Sequence, residues 1–342
     1  DMLAASRQPI LLVGLQAVRS GSGAQLLRLG EYLGCPIMTT YKAKGAIPDT
    51  HPQMIGHLTG ADSEATAIRR ADLVLWAGLE PVELIPAPWR PEVPILAFSD
   101  RPGLRYPAPP AAELVGPLSE SIGQISEAGR ASAWRAEEIF GFKDELARRL
   151  ELPGGEGHTV ESVADAVIAA SPHDTRYTVD AGAHMISIMA RIQAGEPLRV
   201  LKSTGLSTMG FALPAAIAAS LVDPRRPVVA FTGDGGLLMC LAELSTAASL
   251  GCRLTVIVVN DAALSLIDVK QQRRQHNPIG VRYPAVDFAA AALGQGCHAW
   301  KVGRDEPLES TVTKAFAHDG PSLIDIRVDP SPYGEQLAAL RG

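Results

Sequence analysis

Val228-Val229-Ala230-Phe231-Thr232-Gly233-Asp234-Gly235-Gly236, followed further on by Leu254-Thr255-Val256-Ile257-Val258-Val259-Asn260-Asp261, decides how this chain folds. Val228 to Phe231 is an unbroken apolar run of strand length, and Leu254 to Val259 is a second. Between them, Leu237 to Leu250 predicts a helix. The unit is therefore β-α-β, with polar residues at the carboxyl ends of both strands, where open parallel sheets bind ligands. Glycines 233, 235 and 236 let backbone N–H groups approach an anion closely, and a helix start favours negative charge. Asp234 and Asp261 at one rim suit a hard cation such as Mg²⁺, which takes oxygen ligands and bridges readily to phosphate. The residues alone predict a site for a Mg²⁺-diphosphate group.

Working outward, 342 residues at about 100–200 per domain predict two domains. Hydrophobic content of 46% suffices for two cores; with 5% aromatics, Ala, Val and Leu carry the packing. A net charge of -6 and no basic face argue against a nucleic-acid partner. Apolar runs are of strand length or Ala-rich, so neither a membrane span nor a signal peptide is expected. Cys35, Cys240, Cys252 and Cys297 form no metal-binding pattern and are expected as buried thiols in a reducing cytoplasm.

The first half repeats the alternation of strand and helix. Gln8 to Gly14, Pro36 to Thr40, Ala71 to Gly78 and Pro94 to Phe98 predict strands, with a helix over Ser22 to Leu33. Lys42 to Pro48 and His51-Pro52 predict a loop, with His51 and His57 expected as solvated loop histidines rather than metal-bound. The glycines 14, 21 and 23 form no GxGxxG, so FAD is not expected. Helices over Leu118 to Leu150 lead to the linker Pro153-Gly154-Gly155-Glu156-Gly157, and Thr159 is a plausible cap for the next helix. The expected fold is α/β, with two doubly wound, mainly parallel sheets flanked by helices. A Rossmann-like domain is expected over 1–130, a helix and linker over 131–157, and a diphosphate-binding domain over 158–342.

Three motifs in order carry a resemblance. The stretch from GDGG at 233–236 through the helix with LAELSTA at 241–247 to VIVVND at 256–261 resembles the cofactor motif of thiamine diphosphate enzymes. Upstream, LSTMGFALPAAIAAS at 206–220 and DAGAH at 180–184 are similar to two further stretches of that family, nearest its acetolactate synthase and benzoylformate decarboxylase branch. The KG-x-x-P-x-x-HP loop at 44–52 and ADLVLWAG at 71–78 resemble its central domain.

The resemblance implies thiamine diphosphate and Mg²⁺ as cofactors. Asp234 and Asp261 would hold the metal with the Ala263 carbonyl, Asp261 standing where the family has Asn. Ala181, Gly182, Ala183, His184, Gly233, Gly235 and Gly236 would face the diphosphate, and Leu264 would border the cofactor. Met209 would sit under the rings, and the Ser207 carbonyl would accept from the pyrimidine amino group. Asn260 would brace the turn, and Glu243 would be a helix-face charge. Leu266 and Lys270 would border the substrate pocket, Lys270 replacing the Trp of acetolactate synthases.

The family's activating glutamate belongs to a pyrimidine-binding domain to which no segment of this chain corresponds. The resemblance therefore implies a partner domain or subunit in a homo- or hetero-oligomer, with this chain either a split subunit or a piece of a longer enzyme. Together they would act on 2-oxo acids by decarboxylation, acyloin-type carboligation or both. The alternative is a non-catalytic nucleotide- or flavin-binding module whose GDGG is only a phosphate loop.

Overall fold

The computed structural model describes residues 1–59, 64–84, 92–106, 108–151 and 155–341. The chain forms two compact units. The first holds Asp1–Glu151 with Gln193–Arg199 and Ala338–Gly342; the second holds Leu152–Ile192 and Val200–Leu337. Of the expected linker, residues 153 and 154 lie outside the described residues.

The first unit is built on β1 (Pro9–Val13), β2 (Ile37–Thr40), β3 (Met54–Leu58), β4 (Leu73–Ala77), β5 (Ile95–Ser99) and β6 (Ala112–Val115), in the order β3-β2-β1-β4-β5-β6. All pairings are parallel. The central strands β1 and β4 are buried at every position, because helices cover both faces of a parallel sheet. Val13 lies in register with Thr39 and with Ala77, so Gly14, Thr40 and Gly78 meet at one rim.

The second unit contains β7 (Arg176–Val179), β8 (Val200–Lys202), β9 (Val228–Gly233), β10 (Leu254–Asn260), β11 (His298–Val302) and β12 (Ser322–Arg327), ordered β11-β12-β10-β9-β7-β8 and again all parallel. Val259 pairs with Gly233, and Val179 with Phe231. That register carries Asp180, Asp234 and Asp261 to the same end of three neighbouring strands. Chain order reverses between β7 and β9, the kind of switch point where such sheets bind ligands.

Local signals behave as their chemistry requires. Thr159 caps the helix Val160–Ala170, accepting from the Ser162 N–H at 3.2 Å. The helix expected over Leu237 to Leu250 is two, Asp234–Cys240 and Glu243–Ser249. The first begins at Asp234 itself, so Gly235 and Gly236 lie in its opening turn, where N–H groups have no partner within the helix.

One expectation is corrected. His57 is not a solvated loop residue but sits on β3, with a side chain 12% exposed. Its Nδ1 meets Thr39 Oγ1 at 3.0 Å and its Nε2 meets the Lys44 ammonium. Lys44 Nζ lies 2.6 Å from Asp49 Oδ2, and this carboxylate accepts from the Ala194 N–H at 2.8 Å. Burial, with Lys44 beside it, pushes the His57 imidazole down to about 3. Cys35, Cys252 and Cys297 are buried and Cys240 is half-buried, all as free thiols.

Candidate functional site

At the end of β9, Gly233 is still extended, and Asp234 follows as the first helical residue, 3% exposed. Its Oδ1 accepts from the Gly235 N–H at 2.8 Å, while its buried Oδ2 has no hydrogen-bond partner. At the end of β10, Asp261 turns its Oδ1 to the Ala263 N–H at 3.1 Å and its Oδ2 to the Ser265 hydroxyl at 2.7 Å. Ala262 takes a left-handed conformation (φ 60°), folding the chain back over the rim. Burial, and next the neighbouring Asp234 charge, raise the Asp261 carboxyl to about 7; burial also raises Asp234. Two carboxyls that disfavour each other's ionisation at one rim are what a cation between them would stabilise.

The opposite wall comes from the end of β7. His184 opens the helix His184–Arg191, is 5% exposed and has an unpartnered Nε2. Burial lowers its imidazole to about 4, so the ring is neutral near pH 7. The ring lies against Gly182 and Gly233, where a Cβ would come within 2.5 Å and 3.0 Å of its Cε1. A Cβ on Gly235 would lie 2.4 Å from Leu264 Cδ2, 3.0 Å from Tyr283 Oη and 3.4 Å from Met209 Cε. Side-chain tips thus crowd the backbone at 235, and Met209 reaches the Gly233–Gly236 loop as a neighbour.

These groups line a cavity of about 170 Å³ in the second unit. It takes in Ala181, Gly182, Ala183 and His184 from one strand end, Ser207 and Met209 from the loop after β8, and Gly233 to Gly236 from β9. Asp261, Ala263, Leu264 and Leu266 complete that set from the far side of β10. Every expected cofactor and metal residue therefore lines one cavity. Lys270 does not; it is exposed on the helix Ser265–Arg273, beyond the wall that Leu266 forms. Asn260 points away, giving its Nδ2 to Asp325 at 2.8 Å and taking Arg327 on its Oδ1 at 2.8 Å, so it braces β10 against β12. Glu243 is half-buried and outside the cavity.

Residues the sequence reading left out also line it: Val259, Ser265, Ile267 and Tyr333. Tyr283 stands just behind the wall, its Oη 3.0 Å from where a Cβ on Gly235 would lie. An antiparallel bridge between Ala263 and Arg282, with the Leu264 N–H donating to Val281 O at 2.7 Å, sets its phenol beside Asp234. Its hydroxyl makes no hydrogen bond of good geometry. No local pattern marks Tyr283 or Tyr333, because each arrives from a distant segment.

Three buried polar atoms, Asp234 Oδ2, His184 Nε2 and Tyr283 Oη, are thus left unsatisfied around a glycine-lined hollow. Buried orphans of this kind are costly unless a ligand meets them. The set fits a hard cation carrying a diphosphate: carboxylate oxygens for the metal, backbone N–H groups and an imidazole for the anion. Among the described residues no three His, Cys, Asp or Glu side chains are clustered to hold a metal, so backbone and phosphate oxygens would complete its shell.

The first sheet has its own switch point, between β1 and β4. Glu83 fills it. Its carboxylate, 5% exposed, accepts from the Leu15 N–H at 3.0 Å, the Glu80 N–H at 2.7 Å and the Thr40 hydroxyl. A Cβ on Gly14 would lie 2.5 Å from Gly78 O and 2.8 Å from Glu83 Oε2. Glu80 beside it takes Arg19 at 3.1 Å, Gln16 and Arg101. A larger open groove of about 680 Å³ lies between the helices Ala65–Arg70 and Ala136–Leu150. There Arg70 pairs with Glu138 at 2.7 Å and Arg149 with Glu145 at 2.6 Å, so its main charges are already matched.

Comparison with known proteins gives the family. Residues 180–326 match the C-terminal TPP binding domain of thiamine pyrophosphate enzymes, and residues 1–125 match their central domain. The acetolactate synthase of Bacillus subtilis is 28% identical over 339 residues, which cover 95% of this chain and 59% of the relative. The catabolic acetolactate synthase of Raoultella terrigena is 29% identical over 96% of this chain and 61% of the relative. A Pseudomonas aeruginosa protein named as a probable 2-ketoarginine decarboxylase is 29% identical over 96% of this chain and 59% of its own length. The chain thus spans about three fifths of the curated relatives it matches. A Mycobacterium smegmatis structure described as a thiamin diphosphate-dependent enzyme shares the fold, with a TM-score of 0.77 at 22% identity over 96% of this chain and 63% of that one. With both matched domains in family order and the cofactor motifs gathered round one cavity, the chain belongs to the thiamine pyrophosphate-dependent enzymes.

Proposed function

We propose that this chain supplies the diphosphate- and Mg²⁺-binding part of an enzyme acting on 2-oxo acids, by decarboxylation or acyloin-type carboligation. The observation that carries the reading is the meeting of Asp234 and Asp261 at adjacent strand ends, with Asp234 Oδ2 unpaired and glycines opposite. Asp234, Asp261 and the Ala263 carbonyl would hold the cation. The N–H groups at Gly182, Ala183 and Gly236, with His184, would receive the diphosphate, while Gly235, its N–H held by Asp234 Oδ1, would let the loop come close. Met209 would support the rings from below, as an unbranched, polarisable side chain can, and the Ser207 carbonyl would accept from the pyrimidine amino group. Leu264, Leu266 and Ile267 form an apolar flank that would keep water from the reacting end. When bound, the cofactor supplies the electron sink for cleavage beside the 2-oxo acid carbonyl.

The cavity of about 170 Å³ supports a shared site. Cofactor pockets run to about 300–1,000 Å³, so this one has the size of a wall that a pyrimidine-binding domain would complete. That domain would come from a partner chain or another part of a longer protein, in a homo- or hetero-oligomer. A flavin at the first unit's switch point is disfavoured by Glu83, which already takes up the donors there; the reading of GDGG as a mere phosphate loop is separated by the binding test below. No part of the substrate assignment rests on Lys270.

Titration calorimetry tests the reading. Thiamine diphosphate should bind only with Mg²⁺ present, and FAD, FMN and NAD should not bind. Flavin or NAD binding without thiamine diphosphate binding would overturn it. Supplying the pyrimidine-binding domain should then bring turnover on a panel of 2-oxo acids.

A further inference from the structure

Asp180 is fully buried at the end of β7, yet it does not line the cavity. Its carboxylate is completely engaged. Oδ1 accepts from the Phe211 N–H at 2.7 Å and the Ala212 N–H at 3.1 Å, and Oδ2 from the Gly210 N–H at 3.1 Å. Oδ2 also takes the Thr232 hydroxyl at 2.7 Å. The three N–H groups are consecutive and directly follow Met209. Thr232 directly precedes Gly233, and a Cβ on Gly236 would lie 2.4 Å from Asp180 Oδ2. One buried anion thus grips the loop that presents Met209 and the loop that presents Asp234.

The helix Ala212–Val222 gains nothing of this kind from its own sequence. The residue before it, Phe211, offers no side-chain acceptor, so its first N–H, at Ala212, depends on a carboxylate from another strand. The loop that Asp180 holds is bent: Gly205, Ser207 and Gly210 all have positive φ (84°, 47° and 72°). A left-handed Ser207 persists when its surroundings over-determine it. The grip on residues 210–212 is one such constraint, directly beside Met209.

Resting on the cofactor-site reading above, we infer that Asp180 is a positioning residue. It fixes the height of Met209 and the Ser207 carbonyl relative to the Gly233–Gly236 loop. The site therefore recognises the cofactor's rings and its diphosphate at one set spacing. Asp180 does not line the cavity, and its effect on the rings passes through Met209.

The test compares two ligands on the chain as it stands: Mg²⁺-pyrophosphate, which engages only the diphosphate loop, and Mg²⁺-thiamine diphosphate, which also engages the rings. The ratio of their affinities isolates the rings' share. Asp180→Asn keeps the shape but sets an NH₂ among N–H donors, and should lower that ratio about tenfold, the scale of one lost hydrogen-bonded charge. Met209→Ala should lower it comparably, and the double variant should fall no further, as expected of residues acting through one another. Thr232→Val removes a single grip and should lower the ratio less. It also serves as the readout if Asp180→Asn does not fold. If the wild-type chain binds neither ligand, the cofactor-site reading fails. If it binds both, and the ratio is unchanged in Asp180→Asn or, where that variant does not fold, in Thr232→Val, the positioning role is overturned. Additive losses in the double variant overturn it as well.

Discussion

In the first unit, the rim where β1 and β4 part is filled by Glu83, whose carboxylate meets two backbone N–H groups and a threonine hydroxyl. In the second unit, the rim where β7 and β9 part keeps Asp234 Oδ2, His184 Nε2 and Tyr283 Oη without a hydrogen bond of good geometry. The two sheets share strand number, parallel pairing and glycine-ended strands, so the backbone equips both rims to take an anion. Side chains decide the outcome. A rim that satisfies its own donors gains stability, while one that leaves them open keeps a buried cost that a ligand can repay. The difference teaches that a switch point is an opportunity for binding and not by itself a site.

The largest expected effect would break the second rim. Asp234→Asn should lower Mg²⁺-dependent affinity for thiamine diphosphate about a hundredfold or more, since even outer partners of metal ligands cost up to that; calorimetry at fixed Mg²⁺ reads it. Undiminished binding would mean that Asp234 is only a turn residue. The converse change is Glu83→Ala. It should cost about 1–3 kcal/mol in denaturant unfolding, the scale of buried donors left unmet, and leave Mg²⁺-pyrophosphate affinity in the second unit unchanged. Added inorganic phosphate should then raise the melting temperature of the variant more than that of the wild type. Equal shifts would show that Glu83 stands in for no anion.

Acid sharpens the comparison. His57 falls from 6.5 to about 3 in the folded first unit, so it stays neutral there while the unfolded chain takes up a proton. Its contribution to stability is whole above pH 6.5 and is lost steadily as pH falls toward about 3. His184 behaves alike in the second unit, down to about 4. His57→Gln should reduce the slope of unfolding free energy between pH 6 and 5 by up to about 1.4 kcal/mol per pH unit. An unaltered slope would mean that His57 is solvated after all. The smallest effect is expected from Tyr283→Phe, a roughly threefold loss in Mg²⁺-pyrophosphate affinity, in keeping with one neutral hydrogen bond.

How much of this was legible in the sequence follows burial. Central strands such as Val228–Gly233 and Leu254–Asn260 are apolar on both faces, and a continuous run announces them. Three edge strands escaped: Met54–Leu58, Ala112–Val115 and Val200–Lys202. Two of them have only three or four residues, and Ala112–Val115 alternates only weakly between half-buried and exposed. The cofactor loops were legible because glycine, aspartate and strand end fall within a few residues. Tyr283 and Tyr333 were not, since nothing local ties a tyrosine in a loop or at a helix start to a strand end far away. Lys270 is a related case: its place in a resemblance says where its Cα lies, not what its exposed side chain meets.

Residues 193–199 belong to the first unit although they follow a helix of the second. Asp49 and Ala194 exchange backbone and side-chain bonds, the Asp49 N–H to Ala194 O at 3.0 Å and the Ala194 N–H to Asp49 Oδ2 at 2.8 Å. A ribosome must therefore translate well into the second unit before the first can close. Until then Asp49, Lys44 and His57 wait with one partner missing, and a nascent chain halted at Glu151 should resist protease less than the same residues released with 193–199 attached.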